Sequence, residues 1–392
     1  MEINGAKMFV KALQEEGVDT LFAYPGGTAI DLFDALYDAE GIDMILPRHE
    51  QALVHAADGY ARSTGRVGVC LVTSGPGATN LVTGIATANY DSVPLVCFTG
   101  QVPMNLIGND AFQEVDIVGI TRSICKYAVT VRKREDLARI IKNAFYIART
   151  GKPGPVVVDI PKDIQLAMGS DEYPSEVNIR GYKPSEGVHV GQIKRALAEL
   201  KNAKKPVFLC GGGVNIAHAR KEMQQLAEKT GIPVVTTIMG KGAIPTDHPL
   251  YVGNIGMHGN LASNKAIMES DVLFSIGCRF NDRITGTIDT FAKNAKIIHV
   301  DIDAASISRN IKVDIPIVAD AKVAISKMLE YAEPLDIKDW VDDIMNVKAE
   351  YPINMNRYDG VTPEAIIRTI NDMYSNLIIT TDVGQNQLWT TQ

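Results

Sequence analysis

Short apolar runs alternate with stretches of helical spacing along most of the chain. TLFAYPGG, DMILP, VGVCLVTSGPG and PLVCFTG each read as a strand that closes on a glycine or proline turn. Between and beyond them, ATNLVTGIATANYD and REDLARIIKNAFYIART carry apolar residues at helical intervals, and GPVVVDIP reads as a further buried strand. Strands apolar on both faces that alternate with helices predict an α/β fold, a parallel sheet wrapped by helices. This first unit is expected over residues 1–168. Residues 169–189 lose the periodicity and gain Pro, Gly, Ser and charge, which predicts a linker. A second α/β unit follows over 190–335, with strands at KPVFLC, PVVTT, VLFSIG and AKIIHVDID. Residues 336–392 read as a connection and the start of a third unit, with a helix at TPEAIIRTINDMY and a strand at LIITTDVG. Such a segment of roughly 30 ordered residues cannot bury a core of its own, so it is expected to be the opening of an incomplete domain.

One stretch within this pattern poses a chemical question. In LPRHEQALVHAADGYARSTG, the run Ile42 to Leu46 predicts a short buried strand ending at Pro47, and a helix rich in Ala52, Ala56, Ala57 and Ala61 follows. Helical spacing puts Glu50 on one stripe with Leu53, Val54 and Ala57, so the carboxylate is expected to face inward. Parallel α/β sheets bind ligands at the carboxyl ends of their strands, where helix N-termini point their amides. Three turns fall there: Tyr24-Pro25-Gly26-Gly27, Pro47 to Glu50, and Ser74-Gly75-Pro76-Gly77. Singly, each is explained by a tight turn or by the helix dipole favouring an early acid. Their convergence on one sheet edge favours a ligand crevice.

The second unit has Gly211, Gly212 and Gly213 directly after a strand, but Ile216 occupies the place of the third glycine in a dinucleotide fingerprint. Arg279 and Arg283 flank Asn281 and Asp282, and Asp301 and Asp303 close the next strand. Arginines suit a diphosphate and strand-end acids a ribose hydroxyl; a surface ion-pair cluster reads the same way.

Composition narrows the function classes. The 392 residues are 46% hydrophobic and 22% charged, ordinary globular material for two or three domains. The chain has no apolar run near the ~18 residues of a membrane span. The N-terminus, MEINGAKMFVKALQEEG, reads as an amphipathic helix with acids rather than a signal peptide, so a cytoplasmic protein is expected. Five cysteines, odd in number and never spaced as CxxC, read as reduced core residues, and no metal site is read from the residue pattern. A formal charge of -7 offers no basic footprint for nucleic acid.

The segments AYPGG, LPRHEQ, TSGPGATN, GQVP, DAFQE, TRSICK, GPVVVDIPKDIQ, TTIMGKGAIP, GMHGN, RFNDRITG and DIDAASI resemble, in order and spacing, the catalytic large subunit of acetolactate synthase, a thiamine diphosphate enzyme. The likeness runs over the whole chain and points to the biosynthetic, FAD-containing branch. It implies a thiamine diphosphate fold: a pyrimidine-binding domain, a Rossmann-like central domain and the beginning of a diphosphate-binding domain. It also implies decarboxylation of pyruvate and transfer of the two-carbon unit to a second pyruvate or to 2-oxobutanoate, the first common step of branched-chain amino-acid synthesis. The glutamate matching Glu50 hydrogen-bonds the cofactor's pyrimidine nitrogen; a carboxylate held in a crevice can share a proton there, as general acid–base work requires.

Other roles follow from the resemblance residue by residue. Gly26 and Gly27 match the turn lining the active site, Phe112 and Gln113 the segment near cofactor and substrate, and Lys126 a lysine at the substrate entrance. Gly211, Gly212, Gly213, Thr237, Met239, Met257, His258, Gly277, Arg279, Asn281, Arg283 and Asp320 match flavin contacts. Lys152 stands where the family has an arginine to the flavin, keeping the charge but not the planar fork. Asn281 replaces an aspartate. In VGQNQLW, Gln385 and Asn386 match the diphosphate region, with Asn386 in place of a histidine. The family's GDG segment, which anchors Mg²⁺ on the diphosphate, is absent from these residues. The 392 residues alone are therefore expected to be inactive. A homodimer or tetramer and a regulatory small subunit are the implied partners. Two other readings stay open: another thiamine-dependent 2-oxo acid decarboxylase or carboligase, and a non-catalytic fragment that binds FAD or assembles with complete subunits.

Overall fold

In the computed structural model, residues 1–185, 187–353 and 360–391 are described. Glu186 of the expected linker, and residues 354–359 and Gln392 of the expected C-terminal segment, lie outside the described residues. The chain divides into two compact units, Met1–Pro184 and Ser185–Gln392.

The first unit contains strands β1 (Glu2–Asn4), β2 (Thr20–Ala23), β3 (Asp43–Ile45), β4 (Gly68–Val72), β5 (Leu95–Gln101), β6 (Tyr127–Thr130), β7 (Pro155–Pro161) and β8 (Met168–Ser170). Six form one sheet in the order β3-β2-β4-β5-β7-β6, and each neighbouring pair is parallel. The strands β1 and β8 pair antiparallel by themselves. Every residue of β4, β5 and β7 is buried, as their largely apolar runs predict for strands covered on both faces, and the burial extends to the polar Thr99, Gln101 and Asp159 within them. The chain steps outward from β2 to β3 and returns to β4 on the other side, so the sheet has its switch point between β2 and β4.

Three expectations need correction here. The strand before Pro47 exists, but it is exposed rather than buried, because β3 is the sheet's edge and pairs only with β2. The expected helix ATNLVTGIATANYD divides into Pro76–Thr79 and Val82–Asp91, with Asn80 at the break. The first unit also runs past residue 168 to Pro184, because Tyr173, Ile179 and Tyr182 pack on its apolar core.

The second unit contains β9 (Pro206–Cys210), β10 (Val234–Thr236), β11 (Tyr251–Asn254), β12 (Val272–Ile276), β13 (Lys296–Asp301) and β14 (Ile315–Val318), in the order β11-β10-β9-β12-β13-β14. All neighbours are parallel, and the order reverses between β9 and β12. The helix Lys338–Glu350 belongs to this core: Trp340 and Ile344 are buried, and the Trp340 indole donates to the Pro206 carbonyl at 3.1 Å. The residues Leu377 to Val383 form no strand, contrary to expectation, since a strand requires a neighbour to pair with and none of the described strands lies beside them. Among the described residues no helix is long and apolar enough to cross a membrane.

Candidate active site

Glu50 is the first residue of the helix Glu50–Thr64, which starts where the chain leaves β3. His49 caps it through Nδ1, which accepts from the Gln51 amide at 3.0 Å, and Gly65 ends it in the left-handed conformation. Leu53, Val54 and Ala57 are buried, so the predicted stripe points into the core, and the half-buried Glu50 stands at its open end. Asn80 Nδ2 donates to Glu50 Oε2 at 2.9 Å, which is what the break at Asn80 achieves. The other carboxylate oxygen lies over the Gly77 backbone: a Cβ added there would sit 3.6 Å from Oε1.

The first and third turns are fastened together. Thr28 and Thr73 share a hydroxyl hydrogen bond of 3.0 Å, and the Ser74 amide donates to Thr28 Oγ1 at 3.0 Å. A Cβ on Gly26 would come within 2.5 Å of Thr73, so packing explains that glycine. Gly27 differs: nothing lies within 4 Å of where its Cβ would be, so this position fronts open space. Gly75 has φ +57 and ψ -117, a conformation open only to glycine, and a Cβ there would strike the Gln113 carbonyl at 2.5 Å. Gln113 itself has φ 56, and Phe112 beside it is 85% exposed. The structure thus brings Gly26, Gly27, Glu50, Gly75, Gly77 and Gln113 to the carboxyl edge of one sheet.

Lys126 is not among them. It precedes β6, at the opposite end of the strands, and its Nζ donates to the Ile147 carbonyl, to the Thr150 carbonyl at 2.7 Å and to Tyr182 Oη at 3.0 Å. Those carbonyls end the helix Leu137–Arg149, so the lysine serves as its C-terminal cation. Burial, and then the charge of Lys152, pull the Lys126 ammonium down to about 8. Lys152 lies between that helix and β7, at the same end. At the carboxyl end of this sheet, where Arg48 also lies, stands Lys162, directly after β7, whose Nζ donates to the Gly27 carbonyl at 3.3 Å and lies 3.6 Å from Asp31. Its place was legible, because it directly follows the run GPVVVDIP at the end that carries the site.

At the second unit's switch point the glycines pack against one another. The Gly211 amide donates to the Ile276 carbonyl at 2.9 Å and the Gly213 amide to the Gly277 carbonyl at 3.1 Å. A Cβ on Gly277 (φ +61) would meet Gly213 Cα at 2.5 Å, and one on Gly212 would come within 3.1 Å of Met239. Thr237 closes the turn after β10 by accepting from the Gly240 amide at 3.0 Å. The Met257 amide donates to the Arg283 carbonyl at 3.0 Å, which ties the turn of Met257 and His258 to that of Arg279, Asn281 and Arg283. Met239 is 45% and Met257 64% exposed, an apolar rim beside two arginines. Asp320, by contrast, is a helix cap: its Oδ1 accepts from the Lys322 and Val323 amides at 2.8 and 3.1 Å. Gln385 and Asn386 open the helix Gln385–Thr391 in the same unit, where the Thr391 carbonyl accepts from Asn254 Nδ2 at 3.3 Å.

Comparison with known proteins bears on both units. Residues 3–120 match the thiamine pyrophosphate enzyme N-terminal TPP binding domain, and residues 193–328 the thiamine pyrophosphate enzyme central domain. The chain is 49% identical to a probable acetolactate synthase large subunit of Methanococcus aeolicus, over 99% of this chain and 68% of that protein. It is 46% identical to the acetolactate synthase large subunit of Haemophilus influenzae, over 99% of this chain and 70% of that protein. With the acetolactate synthase isozyme 3 large subunit of Escherichia coli it shares 45% identity, over 99% of this chain and 69% of that protein.

Proposed function

Since the chain belongs to the acetolactate synthase large-subunit family of thiamine pyrophosphate enzymes, we propose that its activity is decarboxylation of pyruvate and transfer of the two-carbon unit to a second 2-oxo acid, pyruvate or 2-oxobutanoate. The observation that carries this reading is the placement of Glu50 at a switch point, anchored on one oxygen by Asn80 and facing a crevice floored by glycines.

When bound, thiamine diphosphate supplies the electron sink that lets a 2-oxo acid lose carbon dioxide. The chain's residues have narrower tasks. Glu50 holds and releases a proton at the pyrimidine nitrogen, with Asn80 fixing its rotamer so that Oε1 is the working atom. The bare backbone of Gly27 leaves room for a ring. Gln113, seated on Gly75, and the exposed Phe112 line the substrate side. Lys162 offers positive charge to a substrate carboxylate.

FAD fits the second unit. The close-packed glycines of Gly211–Gly213 and Gly277 keep side chains away from the switch point, Arg279 and Arg283 suit its diphosphate, and Met239 and Met257 give apolar cover to a ring. Mg²⁺ accompanies the cofactor's diphosphate in this reading; among the described residues no group of three or more His, Cys, Asp or Glu side chains could hold it. A homodimer or tetramer, a regulatory small subunit and a cytoplasmic location complete the proposal.

Calorimetric titration of the purified protein with FAD, and then with thiamine diphosphate and Mg²⁺, followed by an acetolactate assay, tests it. Saturable binding of both cofactors, with product from pyruvate, is expected of a protein that also carries the GDG segment absent from these residues; the 392 residues alone are expected to bind FAD but to give no product. A protein that binds neither would sink the reading.

A further inference from the structure

A buried carboxylate with no task in the site described so far lies one step beneath it. Asp159, in β7, is 1% exposed and stands in register with Thr99 of β5 and Thr130 of β6, a single rung across three strands. Its Oδ1 accepts from Thr99 Oγ1 at 2.7 Å; its Oδ2 accepts from Thr130 Oγ1 at 3.1 Å and from Gln101 Nε2 at 3.2 Å. The same Gln101 amide nitrogen donates to the Val115 carbonyl at 3.0 Å, while Gln101 Oε1 accepts from the Val102 amide at 2.9 Å. Gln101 is itself 3% exposed, so its amide has no water to turn to. Val115 lies two residues beyond Gln113, the residue whose carbonyl rests on Gly75.

We propose that Asp159 is a positioning residue that, through the amide of Gln101, holds the Phe112–Val115 segment against the Gly75 turn. An ionised carboxylate only accepts hydrogen bonds, so Asp159 obliges Gln101 to present its NH₂ group inward. That choice leaves the second amide hydrogen for Val115 and the oxygen for Val102. A flipped amide would set oxygen against oxygen at both Asp159 and Val115, and such buried mismatches are costly. The carboxylate therefore selects one amide orientation, and that orientation is the one that clamps the segment. Its consequence for substrate rests on the proposed function, in which Phe112 and Gln113 line the site.

Hydrogen exchange of the full chain tests the clamp independently of activity. Gln101→Met removes the clamp without touching the rung, Asp159→Leu removes the acceptors, and Asp159→Asn keeps one carbonyl oxygen that can still receive the Gln101 amide. Amides of residues 108–115 are expected to exchange about tenfold faster in Gln101→Met and in Asp159→Leu, the effect of one lost buried hydrogen bond. The double variant should be no faster than either single one, because both substitutions break the same link. Asp159→Asn should exchange close to the rate of the unsubstituted chain, a rescue that bulk packing alone would not give. Unchanged exchange over 108–115 in Gln101→Met would overturn the proposal, and so would additive effects in the double variant. Should Asp159→Leu accelerate β5 and β7 equally, the Gln101→Met result alone decides. Thiamine diphosphate and Mg²⁺ titrated into a protein that also carries the GDG segment separate the two readings: no binding there counts against the proposed function, while the exchange pattern of this chain still judges the clamp.

Discussion

At the residue scale the site depends on atoms held in unusual places. Glu50→Gln keeps the hydrogen bond from Asn80 in one amide orientation but removes the acid–base function. Turnover of the cofactor-loaded protein is expected to fall about 10²- to 10⁴-fold while the protein stays folded. Single-turnover kinetics beside circular dichroism would check it, and full activity of the variant would take Glu50 out of the mechanism. Gly75 makes a different demand, since no L side chain tolerates φ +57 with ψ -117 and the Gln113 carbonyl stands where its Cβ would go. Gly75→Ala should cost about 1 to 3 kcal/mol in chemical denaturation, against near neutrality for alanine at Gly27, which meets nothing within 4 Å. The importance of Glu50 was legible in the sequence, because a carboxylate on an apolar helical stripe asks for an explanation. Its partner Asn80 was not: the residue sits inside a continuous helical pattern, and only tertiary packing breaks the helix there.

At the scale of elements, the end of a strand on which a residue falls decides what it can reach. The apolar runs gave the strands β2, β4, β5, β7, β9, β10, β12 and β13 their places, because strands buried on both faces write themselves as unbroken hydrophobic stretches. The strands β6, β11 and β14 were missed because they lie at the sheet edges, and their runs YAVT, YVGN and IPIV lack the sustained apolar stretch of a strand buried on both faces. Overlooking β6 also hid the fact that Lys126 precedes a strand, and so lies at the end away from Glu50. Lys126→Met is expected to lower stability by about 1 to 3 kcal/mol, by freeing the buried carbonyls at the end of the helix Leu137–Arg149. It should leave thiamine diphosphate binding unchanged. Lys162→Met is expected to do the reverse: little loss of stability and a rise of about tenfold or more in the KM for pyruvate, the cost of one charge-assisted contact. Equal effects of the two substitutions on KM would show that strand polarity does not separate their roles.

For the whole molecule, the balance of charge sets how stability responds to pH, and here Asp159 acts against the general trend. Exposed acids such as Asp19 and Glu228, held below the ordinary carboxylate range by their hydrogen-bond donors, favour the folded state at neutral pH. Asp159 is pushed up to about 6 by burial, against the opposing pull of Thr99, Gln101 and Thr130 and with a further upward push from the charge of Asp116. Its folded form therefore binds a proton more tightly than its unfolded form does. The sign follows directly: between an unfolded value near 3.8 and a folded value of about 6 the native state carries the extra proton, so this group's contribution falls as pH rises through that window and is constant above it. The change amounts to about 3 kcal/mol on the scale of 1.36 kcal/mol per pH unit. Asp159→Asn cannot titrate, so the stability difference between the chain and this variant should shift by about that amount between pH 4 and pH 7, in favour of the variant at the higher pH. Denaturant titrations of both proteins at half-unit steps of pH would show it. A difference that stays flat across the window would mean that the three donors outweigh burial and keep Asp159 ionised throughout.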